Sequence, residues 1–192
     1  GIIGALLSKF GLPDTSPDFS LNGSVLFNTF TFISVVVLAP IFEELIFRGM
    51  ILNTLTKYNK MFAIIVTSLL FGLLHLNITQ AIPAFFMSLV LCYMYVQTDS
   101  ILVTILAHAG NNLLALMSVY SDNFVLITVV IMVFVIYGLI TIILKSKEVN
   151  AFIKEEKTNE NWYARFFKQI PNLLYLIFTI LWIIISLFIN MF

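Results

Sequence analysis

Apolar residues run along this chain in long, nearly unbroken stretches separated by short polar breaks. The first full stretch covers about 25 to past 52, and later ones cover about 61–77, 81–97, 101–119, 123–144 and 170–192. The breaks collect turn-forming and charged residues: Gly, Pro, Asp and Ser between 9 and 24, then Lys57-Tyr58-Asn59-Lys60, Thr98-Asp99-Ser100 and Ser121-Asp122. About 17 to 25 apolar residues suffice to cross the hydrocarbon core of a bilayer as a helix. In lipid, a helix also satisfies its own backbone polar groups. The pattern therefore predicts an all-α, polytopic transmembrane helix bundle with about six spanning helices. Pro40 predicts a kink in the first of them. Residues 1–7 read as the end of a partial apolar helix, and because Gly1 rather than Met opens the chain, a fragment or processed chain is expected.

Composition agrees: 60% of the 192 residues are apolar and 10% are charged, which no soluble globular domain matches. The formal net charge is zero and no basic stripe marks an exposed face, so nothing points to nucleic acid; the lipid bilayer is the expected partner. The single cysteine, Cys92, cannot form an internal disulfide. The expectation is one integral membrane domain over 1–192, with a core at about 25–119 and two further helices in 123–192.

The one long polar segment between helices, 145–169, has Trp162, Tyr163, Phe166 and Phe167 beside Arg165 and Lys168. That grouping suits an anchor at the lipid headgroups, and equally a solvated linker with a few lipid-facing rings. If the Lys57–Lys60 turn is cytoplasmic, alternation of the spans places the 98–100 turn and the 145–169 segment there too. That side then holds Lys57, Lys60, Lys145, Lys147, Lys154, Lys157, Arg165 and Lys168, eight of the ten basic residues. This asymmetry predicts a multi-pass protein of the cell membrane with those segments inside.

Within the apolar stretches the only ionisable Asp, Glu, Lys, Arg or His residues are Glu43, Glu44, Arg48, His75 and His108. Intramembrane ionisable groups are costly and mark function by default. Glu43 lies 14 residues before Lys57 and His75 lies 15 after Lys60, so on unbroken helices both sit roughly 21 to 23 Å from the same turn. His108 and Asn112 lie 8 and 12 residues beyond Ser100, roughly 12 and 18 Å deep. The depths allow one shared polar site.

Glu44 and Arg48 are an i, i+4 pair with the acid on the N-terminal side, and are read as a structural bridge. Glu43, about 100° around the helix, is left for chemistry. Burial disfavours its charge and a neighbouring imidazole favours it, a combination that suits a general base. His75 shares a face with Phe71, four residues earlier, which is either a substrate-pocket wall or packing. His108 shares a face with both Asn111 and Asn112, and spacing does not choose between them. Imidazole and carboxamide together offer donors to an oxyanion, although a lone membrane His or Asn is often only an interhelical hydrogen-bond partner.

Three motifs stand in order: Glu43-Glu44-Leu-Ile-Phe-Arg48, Phe71-Gly-Leu-Leu-His75 and His108-Ala-Gly-Asn111-Asn112. As a set they resemble the type II CAAX prenyl endopeptidases and bacteriocin-processing or self-immunity proteins, the CPBP family, over about 34–116. The resemblance implies an intramembrane endopeptidase. In it Glu43 and His75 position and deprotonate a water that attacks the scissile carbonyl, and His108 and Asn112 stabilise the oxyanion, which selects Asn112 over Asn111.

The family has been described both as metalloproteases and as glutamate-dependent proteases. Glu43, His75 and His108 could hold zinc, but the chain has no His-Glu-x-x-His pair and Asn112 beside them suits an oxyanion better than a metal, so no cofactor is expected. The substrate implied is a hydrophobic or membrane-anchored peptide. Competing readings are a non-catalytic immunity or scaffold protein, which would be expected to have lost a motif residue, and a proton-coupled transporter, which would be expected to show repeated broken helices.

Overall fold

The computed structural model describes residues 2–13, 23–120, 144–157 and 160–189. The expected span at 123–144 falls almost entirely outside these, as do the last residues of the 170–192 stretch. Among the described residues eight helices follow in order: α1 (Ile2–Lys9), α2 (Val25–Leu55), α3 (Lys60–Leu74), α4 (Ile78–Thr98), α5 (Ile101–Tyr120), α6 (Ser146–Glu155), α7 (Trp162–Phe167) and α8 (Ile170–Ile189). No strand occurs among the described residues, and the fold is all-α.

Four of these helices, α2, α4, α5 and α8, are long and apolar enough to cross a membrane. The second apolar stretch is not a full span: α3 has 15 residues and stops at Leu74, short of the 61–77 that the apolar run predicts. The break is local. Leu76 takes a left-handed conformation at φ 56°. Asn77 then caps the next helix by accepting from the Gln80 N–H at 2.9 Å, so α4 begins at Ile78 rather than at 81. Asn59 caps α3 in the same way through the Phe62 N–H at 2.7 Å, and α4 ends at left-handed Asp99.

The described residues divide into two compact units. The first lies within Gly1–Asp18, Glu44–Thr104 and Glu160–Phe192, and the second within Phe19–Glu43 and Ile105–Asn159. The boundary falls inside α2, between Glu43 and Glu44, and inside α5.

In the first unit α3 packs along α4 around buried Phe47, Phe71 and Ala84. A Cβ on Gly72 would come within 2.8 Å of the Ala81 carbonyl and 3.1 Å of the Phe85 Cβ, so this approach requires glycine. On α8, Leu174, Phe178, Leu181, Trp182 and Ile185 form an exposed helical stripe, the face a membrane helix turns to lipid. The 145–169 segment contains two helices. The second of them, α7, lays Trp162 on Tyr58 and Tyr163 on Phe62, with ring centroids 5.2 Å apart in each case.

Candidate active site

Helix α2 carries its acidic residues on a short regular stretch between two widened turns. Before it, the Ala39 N–H reaches back five residues to the Ser34 carbonyl. After it, the Asn53 N–H reaches the Arg48 carbonyl, again five residues back. Such turns commonly mark functional sites. The next bond in the first register would run from residue 40 to the Val35 carbonyl, but residue 40 is a fully buried proline without an N–H. Adjacent residues then diverge: Glu44 and Arg48 are completely buried in the first unit, and Glu43 belongs to the second.

In the first unit Arg48 Nη1 donates to Glu44 Oε1 at 2.9 Å, both side chains being fully buried. Its Nη2 donates to the Ser88 hydroxyl at 2.8 Å and to the Ser88 carbonyl at 3.3 Å. The guanidinium also lies 5.0 Å from the centroid of the Phe71 ring. An ion pair withdrawn from solvent to this degree needs such additional partners to offset its desolvation.

Phe71 is itself fully buried, with Phe47 edge-on at 5.0 Å and the His75 ring at 5.3 Å. It therefore touches both Arg48 and His75. The apolar pattern places His75 inside a helix, but it is the residue just after α3. Its Nδ1 lies 3.1 Å from the Phe71 carbonyl. A carbonyl only accepts, so Nδ1 carries the proton of that bond, and in the neutral form of the ring the lone pair is on Nε2.

In the second unit His108 Nε2 lies 3.7 Å from Glu43 Oε2, with His108 buried at 3% exposure and Glu43 at 27%. The separation exceeds a hydrogen bond but keeps carboxylate and imidazole in direct electrostatic contact. Asn112, one turn beyond His108, donates through Nδ2 to the Val35 carbonyl at 3.0 Å. Asn111 is exposed and donates to the Asn112 Oδ1 at 3.4 Å.

The sequence motifs thus fall into two sets: Glu44, Arg48, Phe71 and His75 in one unit, Glu43, His108 and Asn112 in the other. Two participants escaped sequence reasoning. Ser88 completes the surroundings of Arg48 from a helix without charged residues, and its only signal was a hydroxyl four residues from Cys92 in an apolar run. The Val35 carbonyl is main chain, and the one hint of it was Pro40 five residues on.

Among the described residues no three His, Cys, Asp or Glu side chains gather as metal ligands would. The zinc set Glu43, His75 and His108 is divided between the two units.

Comparison with known proteins gives two matches. Residues 25–114 match the family model described as "Type II CAAX prenyl endopeptidase Rce1-like". A Bacillus subtilis (strain 168) protein named "Putative membrane peptidase YdiL" is 34% identical over 77 residues, which is 40% of this chain and 32% of the relative. The aligned part thus spans about a third of that protein's length. No solved structure matches the chain.

Proposed function

We propose, from the match of residues 25–114 to the Rce1-like family model, that the chain is an intramembrane endopeptidase that hydrolyses hydrophobic or membrane-anchored peptides. The observation that carries this reading is the contact of Glu43 with His108 at 3.7 Å, a carboxylate and an imidazole on apolar helices within the matched segment. Glu43 is partly exposed, as a group that must reach a substrate water has to be.

In the proposed mechanism the Glu43 carboxylate takes a proton from a water whose oxygen adds to the scissile carbonyl, a step in which the resemblance also enlists His75. His75 is suited to this because its Nδ1 is committed to the Phe71 carbonyl and Nε2 is its accepting atom. The tetrahedral oxyanion accepts hydrogen bonds from His108 and, by the resemblance, from Asn112. Of the two amide N–H groups of Asn112, one is given to Val35. Collapse of the intermediate breaks the C–N bond, and the proton held by Glu43 passes to the departing amine.

The test is cleavage of a mixed library of hydrophobic peptides by the detergent-purified protein, wild type beside Glu43→Gln, with cut sites read by mass spectrometry. Cuts made by wild type alone support the reading. Equal cutting by both removes Glu43 from the chemistry, and cutting by neither moves the balance to a binding or immunity protein.

A further inference from the structure

Asn112 and Pro40 are complementary. The widened turn of α2 that bonds the Ala39 N–H to Ser34 would next bond residue 40 to the Val35 carbonyl, and proline supplies no hydrogen. A main-chain carbonyl that loses its helical donor inside an apolar protein is costly unless another donor reaches it. The Asn112 Nδ2, from a different helix, sits 3.0 Å from that oxygen. The same two helices meet again at Glu43 and His108. As α5 runs from His108 to Asn112, α2 is met in the reverse direction, first at Glu43 and then at Val35.

We infer that Asn112 is a positioning residue: its amide replaces the donor that Pro40 lacks and, by tying Val35 to α5, holds Glu43 against His108. The consequence for catalysis rests on the endopeptidase reading, whereas the tie itself does not. In this account Pro40 opens the helix so that a neighbouring side chain can seize it, and one turn separates the seizing residue from the imidazole it sets in register. The role differs from donating to the oxyanion, because it needs no substrate and disappears if residue 40 regains its N–H.

That difference supplies the experiment, a double-mutant cycle of Asn112→Ala and Pro40→Ala in the detergent-purified protein. Alanine at 40 restores an N–H in register with Val35. Asn112→Ala in the wild-type background is expected to lower the folding equilibrium constant about tenfold or more, because it strands a carbonyl. In the Pro40→Ala background it is expected to lower it by less than about threefold. Equal losses in both backgrounds overturn the proposal. If Asn112→Ala fails to fold, Asn112→Leu, which keeps much of the volume and removes the donor, enters the same cycle.

A second readout reports on Glu43 itself. In protein labelled with ¹⁵N-histidine, Glu43→Gln should shift the ring signals of His108, and Asn112→Ala should shrink that shift unless Pro40→Ala is also present. An undiminished shift in Asn112→Ala overturns the positioning role. Neither measurement uses peptide cleavage, so both outcomes hold even if the endopeptidase reading fails. Where cleavage is seen, recovery of Asn112→Ala activity by Pro40→Ala supports positioning, and an unchanged defect assigns Asn112 to the oxyanion.

Discussion

The guanidinium of Arg48 lies 5.0 Å from the centre of the Phe71 ring, and the ring of His75 meets Phe71 at 5.3 Å. A buried ion pair and a proposed catalytic histidine therefore share contact with one aromatic ring. Cation–π attraction to a desolvated guanidinium contributes about 2 kcal/mol, in addition to the packing of the ring. Phe71→Leu, which keeps much of the volume, is expected to cost about 1 to 2 kcal/mol and Phe71→Ala about 3 to 5 kcal/mol in unfolding measured in mixed micelles. If His75 depends on this ring for its orientation, Phe71→Leu should also lower kcat more than it raises KM. A Phe71→Leu protein with wild-type stability and kcat would show that the ring merely fills space.

Glu44 and Arg48 should respond very differently to single and paired replacement. Each single apolar substitution leaves the partner's charge buried at zero exposure, and is expected to cost about 3 to 5 kcal/mol and to lower the yield of folded protein. Glu44→Leu combined with Arg48→Met removes both charges and should be milder than either alone. Ser88→Ala, which takes away the 2.8 Å acceptor of Arg48, is expected to cost about 1.5 to 3 kcal/mol with Arg48 present and little once Arg48 is Met. A pair replacement as damaging as the sum of its parts would refute the pairing argument.

Much of this arrangement is legible in the chain. Charge is so costly in lipid that five ionisable residues stand out against apolar runs, and i, i+4 spacing separates the Glu44 to Arg48 bridge from Glu43. Spacing fails where the backbone departs from a regular helix. The depth of Glu43 assumes a regular α-helix, but the turns over Leu45–Leu52 are widened, and the apolar run to 77 overshoots the end of α3, which the left-handed Leu76 and the Asn77 cap set at Leu74. Apolar runs mark where a helix is tolerated in lipid, while caps and single left-handed residues decide where it stops. Ser88 and the Val35 carbonyl are out of reach for a related reason: each acquires its role from a residue 40 or more positions away.

Gly72 offers a test of the α3 and α4 packing that stands apart from the charged groups. Gly72→Ala would set a methyl 2.8 Å from the Ala81 carbonyl and 3.1 Å from the Phe85 Cβ. The first contact is with backbone, so the helices themselves must move. The expected cost is about 1 to 3 kcal/mol, against the slight gain that Gly to Ala gives in an open helix. A Gly72→Ala protein with an unchanged or raised melting temperature would mean that α4 has room to retreat.

The sidedness proposed from the lysines and arginines can be tested through a contact within one unit. Because Trp162 rests on Tyr58 and Tyr163 on Phe62, α7 lies beside the 57–60 turn, and Lys57 and Lys168 belong to the same end of that unit. Native Cys92 is fully buried and should resist a membrane-impermeant maleimide, which makes the wild-type chain its own blank. Lys57→Cys and Lys168→Cys are then expected to react together, in inverted vesicles and not in intact cells, if that end is cytoplasmic as the clustering of basic residues argues. Labelling of both in intact cells would reverse the orientation while preserving the contact. Labelling from opposite sides would instead contradict the packing of α7 against the turn.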